Sequence, residues 1–181
     1  MTTLYRRILD NRFDPLGAAV QQFHSLQGTH RLMGRCSIRG PESLAGKVIC
    51  ALMRLPRPSE DVAFSFDLDA NPSEETWTRR FPQRAMRSRL RSCAVGFLDE
   101  HIGPTRLRFS LHTHQGQLSM RLEAIRILGI RWPTRWFPDV WAVEHGVGDR
   151  FHFDVGAKFR HLGLLVGYSG HLDLSPMDHA V

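Results

Sequence analysis

The chain has 181 residues, 42% hydrophobic and 23% charged, with 24 basic against 18 acidic side chains and a formal net charge of +6. That balance excludes a disordered or fibrous chain and suits one soluble globular domain over residues 1–181, long enough to bury a real core. No apolar run approaches the roughly 20 residues of a membrane-spanning helix, and the opening MTTLYRRILDNRF lacks the apolar stretch of a signal peptide.

Cys36, Cys50 and Cys93 are odd in number and unrelated in spacing, which argues for reduced thiols and a cytoplasmic location. Without a Cys-x-x-Cys pair a structural zinc site is not expected. Lys47 and Lys158 are the only lysines, so 22 of the 24 basic residues are arginines. They are spread along the chain with no nucleic-acid motif beside them, and read as surface cations rather than a nucleic-acid interface.

In chain order, residues 3–9 suit a short helix. Asp14 reads as an N-cap with Pro15 at the first helical position, opening a helix over 15–26 with Leu16, Ala19, Val20, Phe23 and Leu26 on one stripe. Residues 30–39 read as a strand ended by Gly40-Pro41. A second helix is expected over 42–55, capped by Ser43 and closed by Pro56 and Pro58.

From Asp61 onward the period is two. Val62, Phe64, Phe66 and Leu68 share a face, Asn71-Pro72-Ser73 makes a turn, and Trp77, Arg79 and Phe81 share the next face. Met86, Ser88 and Leu90 alternate with Arg87, Arg89 and Arg91. That arginine ladder reads as a solvated strand face that discourages edge pairing, with anion or lipid head-group binding as the alternative. Residues 93–102 stay open between strand and loop.

Gly103-Pro104 breaks the chain, and Leu107, Phe109 and Leu111 begin a strand that turns at Gln115-Gly116 and returns through Leu118, Met120 and Leu122. A bulge is expected in 124–130. Residues 131–138, RWPTRWFP, form a Pro- and Trp-rich crossover; Trp132 and Trp136 are expected under the helices, with a mouth or membrane interface as the alternative. A strand over 140–145 and a final hairpin over 150–174 follow, and the tail SPMDHAV is expected to fray.

These elements predict an α+β fold: a strongly curved antiparallel sheet of about eight or nine strands, a half-barrel or barrel, covered by two helices near the N-terminus. The glycines near the end, Gly163, Gly167 and Gly170, are expected to help it bend.

Dinucleotide, phosphate-loop, zinc-protease and nucleophile-elbow motifs are absent, so no cofactor is expected. His112 and His114 share a strand face, but on the parity opposite Leu107, Phe109 and Leu111, and read as solvated rather than as metal ligands. Arg79 is different. It lies on a buried parity between Trp77 and Phe81, where a charge needs a partner. Glu144 is the expected partner, with Tyr168 adding a hydroxyl. The predicted ligand site is an apolar concavity lined by Phe64, Phe66, Trp77, Phe109, Met120, Phe153 and Tyr168, with Arg79 and Glu144 as polar anchors.

With those residues in view, the chain resembles a bacterial family of unknown function, family 4166, whose members stand alone or lie C-terminal to saccharopine-dehydrogenase-like proteins. The resemblance runs in order through LYRRIL and FDPL, MGRCSIRG, ETWTRRF, MRSRL, IGPTRLRFSL, LGIRWP, Glu144 and RFHFDV…LGLLVGYSGHL. It implies no established activity and carries over no catalytic residue.

The function expected is binding of a lipid or other hydrophobic small molecule in the concave face. The alternatives are an enzyme using Glu144 as acid or base beside Arg79, and an interaction module for a dinucleotide-dependent oxidoreductase. Peripheral membrane contact is an open further partner.

Overall fold

Alternating apolar residues dominate the chain from Gly28 onward, and in the computed structural model, which describes residues 2–53 and 55–174, they build one antiparallel sheet. Its strands are β1 (Gly28–Arg39), β2 (Ser59–Ala70), β3 (Glu74–Phe81), β4 (Arg84–Ala94), β5 (Phe97–Ile102), β6 (Thr105–His114), β7 (Gln117–Ile127), β8 (Ile130–Arg131), β9 (Asp139–Val147), β10 (Arg150–Phe159) and β11 (Gly163–Asp173). Each strand pairs with the next in sequence, through a short turn everywhere but between β1 and β2, except where β7 skips the two-residue β8 and pairs with β9. β11 then returns to β1, with Met33 opposite Asp173 and Arg39 opposite Gly167.

The ring is therefore closed. Among the described residues it has ten strands, with β8 as a tag on β7. Of the expected half-barrel or barrel the closed form is found, and the expected eight or nine strands fell short because residues 97–102, ambiguous in sequence, pair on both sides as β5. Closure removes the sheet edges that would otherwise invite association.

Local sequence explains the joints. Asn71 Oδ1 accepts from the Ser73 and Glu74 amides at 3.0 and 2.9 Å, an Asx turn joining β2 to β3. Gln115-Gly116 and Leu128-Gly129 all have positive φ, as two-residue turns that match strand twist require. Glu123 is skipped in the β6–β7 register, a bulge one residue ahead of the expected stretch. At the closing seam a Cβ on Gly34 would collide with the His171 carbonyl, and one on Gly170 with that of Arg35. Only glycine lets β1 and β11 approach this closely.

Helices α1 (Leu4–Leu9) and α2 (Ala18–Phe23) do not cover an open sheet face; they plug one end of the barrel. α1 buries Leu4, Tyr5, Ile8 and Leu9, and α2 buries Ala19, Val20 and Phe23. Each fully buried Leu, Ile or Phe adds about 1.5–3 kcal/mol. The Gly96 amide donates to Ile8 O at 2.8 Å, Arg12 Nη1 to Leu111 O at 3.1 Å and the Gly17 amide to Gly116 O at 2.8 Å. Gly96 and Gly116 sit at turns of one end of the barrel, which fixes where the plug lies.

α2 is also shorter than the helix expected over 15–26, and Gly17 rather than Asp14 occupies its N-cap. The Gln21 side chain donates to Asp14 O and Leu16 O, at 2.9 and 2.7 Å, and holds residues 14–16 in a turn instead.

α3 (Leu44–Leu52) connects β1 to β2 at the opposite end. Ser43 caps it as expected, accepting from the Gly46 amide at 3.1 Å. It lies against the start of β11, with Cys50 Sγ donating to Leu165 O at 3.1 Å. The tail expected to fray lies outside the described residues.

Candidate functional site

Alternation along β3 turns Glu75, Trp77, Arg79 and Phe81 into the barrel. Opposite them on β4 stand Leu90, Ser88 and Met86, and beyond these Glu100 of β5. From the far wall come Glu144 of β9, Phe153 of β10 and Tyr168 of β11. The plug adds Tyr5 and His24. The outcome is a chain of polar groups inside an apolar barrel.

Glu144 Oε2 lies 2.7 Å from His24 Nε2, and both side chains are almost completely buried. The His24 ring stacks on Tyr5 with centroids 3.7 Å apart, and Tyr5 stacks on Trp77 at 6.1 Å. Trp77 Nε1 donates to Glu75 Oε2 at 2.8 Å. Arg79 stands over the Trp77 ring at 5.1 Å, and its Nη1 donates to Ser88 Oγ at 3.1 Å and Glu100 Oε1 at 3.3 Å.

Three carboxylates thus share the interior with one guanidinium and one imidazole. Glu100 is paired with Arg79 and Glu144 is hydrogen-bonded to His24, whereas the only side-chain partner of Glu75 among the described residues is the neutral Trp77 indole. Burial pushes the Glu75 carboxyl up to about 7, against the pull of His24 and the Trp77 hydrogen bond, and Glu144 adds to the rise. Burial, reinforced by Glu144, Glu75 and Glu100, holds the Tyr5 phenol well above its ordinary range, so it stays protonated. Tyr5 Oη and His24 Nδ1 are buried and find no hydrogen-bond partner among the described residues.

All nine predicted site residues face this interior and are buried: Phe64, Phe66, Trp77, Arg79, Phe109, Met120, Glu144, Phe153 and Tyr168. They do not form one open wall. Phe66 and Trp77 pack against Phe23 of the plug, with centroids 5.5 and 5.9 Å away. Phe64 and Tyr168 each meet Phe81 and Phe153 at 5.2–6.0 Å, forming an aromatic layer clear of those plug contacts.

The expected Arg79–Glu144 pair is not made. Register places Glu100 two strands from Arg79, and the plug supplies His24 to Glu144. Tyr168 faces the same interior, but no hydrogen bond joins it to Arg79 among the described residues.

Sequence reasoning missed Tyr5, His24, Glu75 and Glu100. Glu75 was within reach, since it shares the inward parity of Trp77 and Arg79 in ETWTRRF. His24 carries no such signal, because it follows the last turn of a short helix.

Toward the unplugged end the same strands change character. Met86, Leu107, Leu122, Val140, Val155 and Ala157 lie on the inward parity and pack against the core, yet remain partly exposed. The aromatic crossover at this end also departs from expectation. Trp132 and Trp136 are 39% and 57% exposed and meet each other edge to face, rather than packing under the helices. His112 and His114 are exposed on the outer face, and no cluster of metal-ligating side chains occurs among the described residues. None of their helices is long and apolar enough to cross a membrane.

Barrel and buried cluster together define a class: a closed antiparallel β-barrel, plugged at one end by its own N-terminal segment, with ionisable groups at its centre. The chain belongs to the family described as a domain of unknown function, DUF4166, whose model matches residues 16–172. No curated protein matches it. Among solved structures it is similar to that titled Rv2717c from M. tuberculosis, at 12% identity and TM-score 0.45, over 87% of this chain and 98% of that one.

Proposed function

We propose that the domain binds a lipid or other hydrophobic small molecule through the unplugged end of the barrel. The observation that carries this reading is the contrast along the inward-facing rows of β6, β7, β9 and β10: their apolar side chains are fully buried toward the plug, and partly exposed toward the other end, although Ile38, Phe81 and Val166 across that end are buried. Folding alone gives no reason to point Leu107, Leu122, Val140 and Val155 inward and leave them wet. An apolar ligand would cover them. The aromatic layer of Phe64, Phe81, Phe153 and Tyr168 would form its floor, with the Arg79–Glu100 pair as the nearest polar anchor.

An enzymatic role for Glu144 has less support. Its carboxylate is 4% exposed and faces His24 of the plug rather than the unplugged end.

Native mass spectrometry of the purified protein should reveal a co-purifying ligand of lipid size, and an apolar fluorophore should bind after delipidation. Ala157→Trp, which fills the mouth, should weaken fluorophore binding at least tenfold while leaving the circular-dichroism spectrum intact. Absence of both ligand and fluorophore binding, in protein that is folded, would sink the reading.

A further inference from the structure

The hairpin from β7 to β8 carries a combination that the interior does not explain. Its turn places Leu128 at φ 51° and Gly129 at φ 81°. Glycine adopts that conformation freely, whereas a leucine there is strained. The strained side chain is also 78% exposed, beside Ile130 at 74%. Trp132 and Trp136 continue the exposed apolar surface along the chain. A lone exposed leucine needs no explanation; four large apolar residues within nine positions make a patch.

Charge at the base of the hairpin is equally unmatched. Arg106 faces Arg126 across β6 and β7, and Arg126 faces Arg131 across β7 and β8. Like charges directly opposite one another destabilise a sheet. Asp99 answers Arg106 and Arg108. Arg126 and Arg131 make no ion pair among the described residues. Together with Glu123 and Ala124 the four arginines line a pocket of about 300 Å³. Glu123 accepts a hydrogen bond from Ser110 Oγ at 2.7 Å, and so spends one oxygen away from the arginines.

We propose that this hairpin docks the barrel on an anionic phospholipid bilayer. A head-group phosphate seats between Arg126 and Arg131, and Leu128, Ile130, Trp132 and Trp136 enter the interfacial zone. Phosphate answers the like-charge pair, and tryptophan with flanking arginine is the side-chain pairing that bilayer interfaces favour. The chain order puts α3 at the same end of the barrel. Its Leu44 and Leu52 are 80% and 79% exposed with the exposed Lys47 between them, so they offer a second contact of the same chemistry. The inference stands on the outer surface alone. Docking can fail while the interior still binds a ligand, and the reverse.

Vesicle co-sedimentation tests it. The full chain should bind vesicles of phosphatidylglycerol and phosphatidylcholine mixed, but not phosphatidylcholine alone, and lose binding in high salt. Arg126→Gln with Arg131→Gln should weaken binding about twenty- to thirtyfold, at roughly a fivefold loss per basic residue near the surface. Leu128→Asn should also weaken it. Asparagine suits the left-handed turn better than leucine does, so misfolding cannot account for that loss. No binding to the mixed vesicles, or binding unchanged in the arginine double variant, overturns the proposal. So does competition by millimolar inorganic phosphate that abolishes binding while the apolar variant binds normally, which would make the pocket a free-anion site.

Discussion

The two ends of this barrel are built from the same strands and the same alternation, and yet they end in opposite states. At the plugged end Tyr5, Phe13, Phe23 and Leu118 are fully or almost fully buried, and the chain's own N-terminal segment completes the core. At the other end inward-facing Leu107, Leu122, Val140 and Val155 keep some exposure, and the rim carries Leu44, Leu52, Leu128 and Ile130 in water. One end behaves throughout as the interior of a folded domain; at the other, Ile38, Phe81 and Val166 are buried while the β6, β7, β9 and β10 side keeps apolar surface in water. A β-barrel does not need an open end for stability, so the asymmetry points to function.

The sharpest way to break this comparison is at the plug. Phe23 stacks on Phe151 with centroids 4.1 Å apart and meets Phe66 and Trp77 edge to face. Phe23→Ala should cost about 3–5 kcal/mol, read as a lower denaturant midpoint at unchanged slope. A loss below about 1 kcal/mol would mean that the plug is an optional cover rather than part of the core.

Next in size is the buried pair. His24→Ala removes the hydrogen-bond partner of Glu144 and leaves a carboxylate buried without compensation. The expected loss is about 3 kcal/mol. His24→Ala with Glu144→Leu should recover much of it, since removing both partners is less costly than removing one. Should the double variant be no more stable than the single one, the 2.7 Å contact is not what stabilises this junction.

The third effect depends on pH. Glu75 has an ordinary value near 4.5 in the unfolded chain and is held at about 7 in the fold by burial. The native state therefore binds a proton that the unfolded chain has released between those values. Stability from this group is fully present below about pH 4.5, falls as pH rises through that window, and is lost above about 7. Glu75→Gln keeps an acceptor for Trp77 Nε1 and has no charge to bury. It should stabilise the fold at pH 8, by on the order of 2 kcal/mol, and have little effect at pH 4.5. Melting curves of both proteins across that range decide it; an equal gain at both pH values would remove Glu75 as the titrating group.

How much of this was legible before the fold was known follows from the range of each interaction. Strand alternation is local, so the inward faces of β2, β3, β6, β7, β10 and β11 could be read directly, as could Arg79 as a charge on a buried parity. Closure rests on β11 meeting β1, with paired residues from Met33 and Asp173 to Arg39 and Gly167 lying far apart in the chain, and nothing in either strand alone announces it. The partner of Arg79 was not legible for a related reason: Glu75, Glu100 and Glu144 all sit on inward parities, and only register and tilt choose among them. The amphipathic faces of α1 and α2 look the same whether a helix lies across a sheet or inserts into a barrel. His24 therefore remained invisible until the plug was seen to carry it to Glu144. The exposed tryptophans reversed a reasonable expectation, because aromatic residues beside prolines pack inward more often than they face water.

The smallest expected effect is at the unplugged end, and it is the most discriminating. Leu44 and Leu52 of α3 are about four-fifths exposed, so they contribute little to the folded state. Leu44→Gln with Leu52→Gln keeps good helix propensity at Leu52 and removes two large apolar side chains from water. The folding stability should change by less than about 0.5 kcal/mol, checked by denaturant midpoint beside the Phe23 variant. The same pair of changes at plugged-end positions such as Leu9 and Leu118 would unfold the protein. A loss above about 1 kcal/mol would show that α3 is packed in solution and that the rim is part of the core after all. A stability-neutral result leaves these leucines with no role in holding the fold together, and separates the surface that folds the barrel from the surface that meets something else.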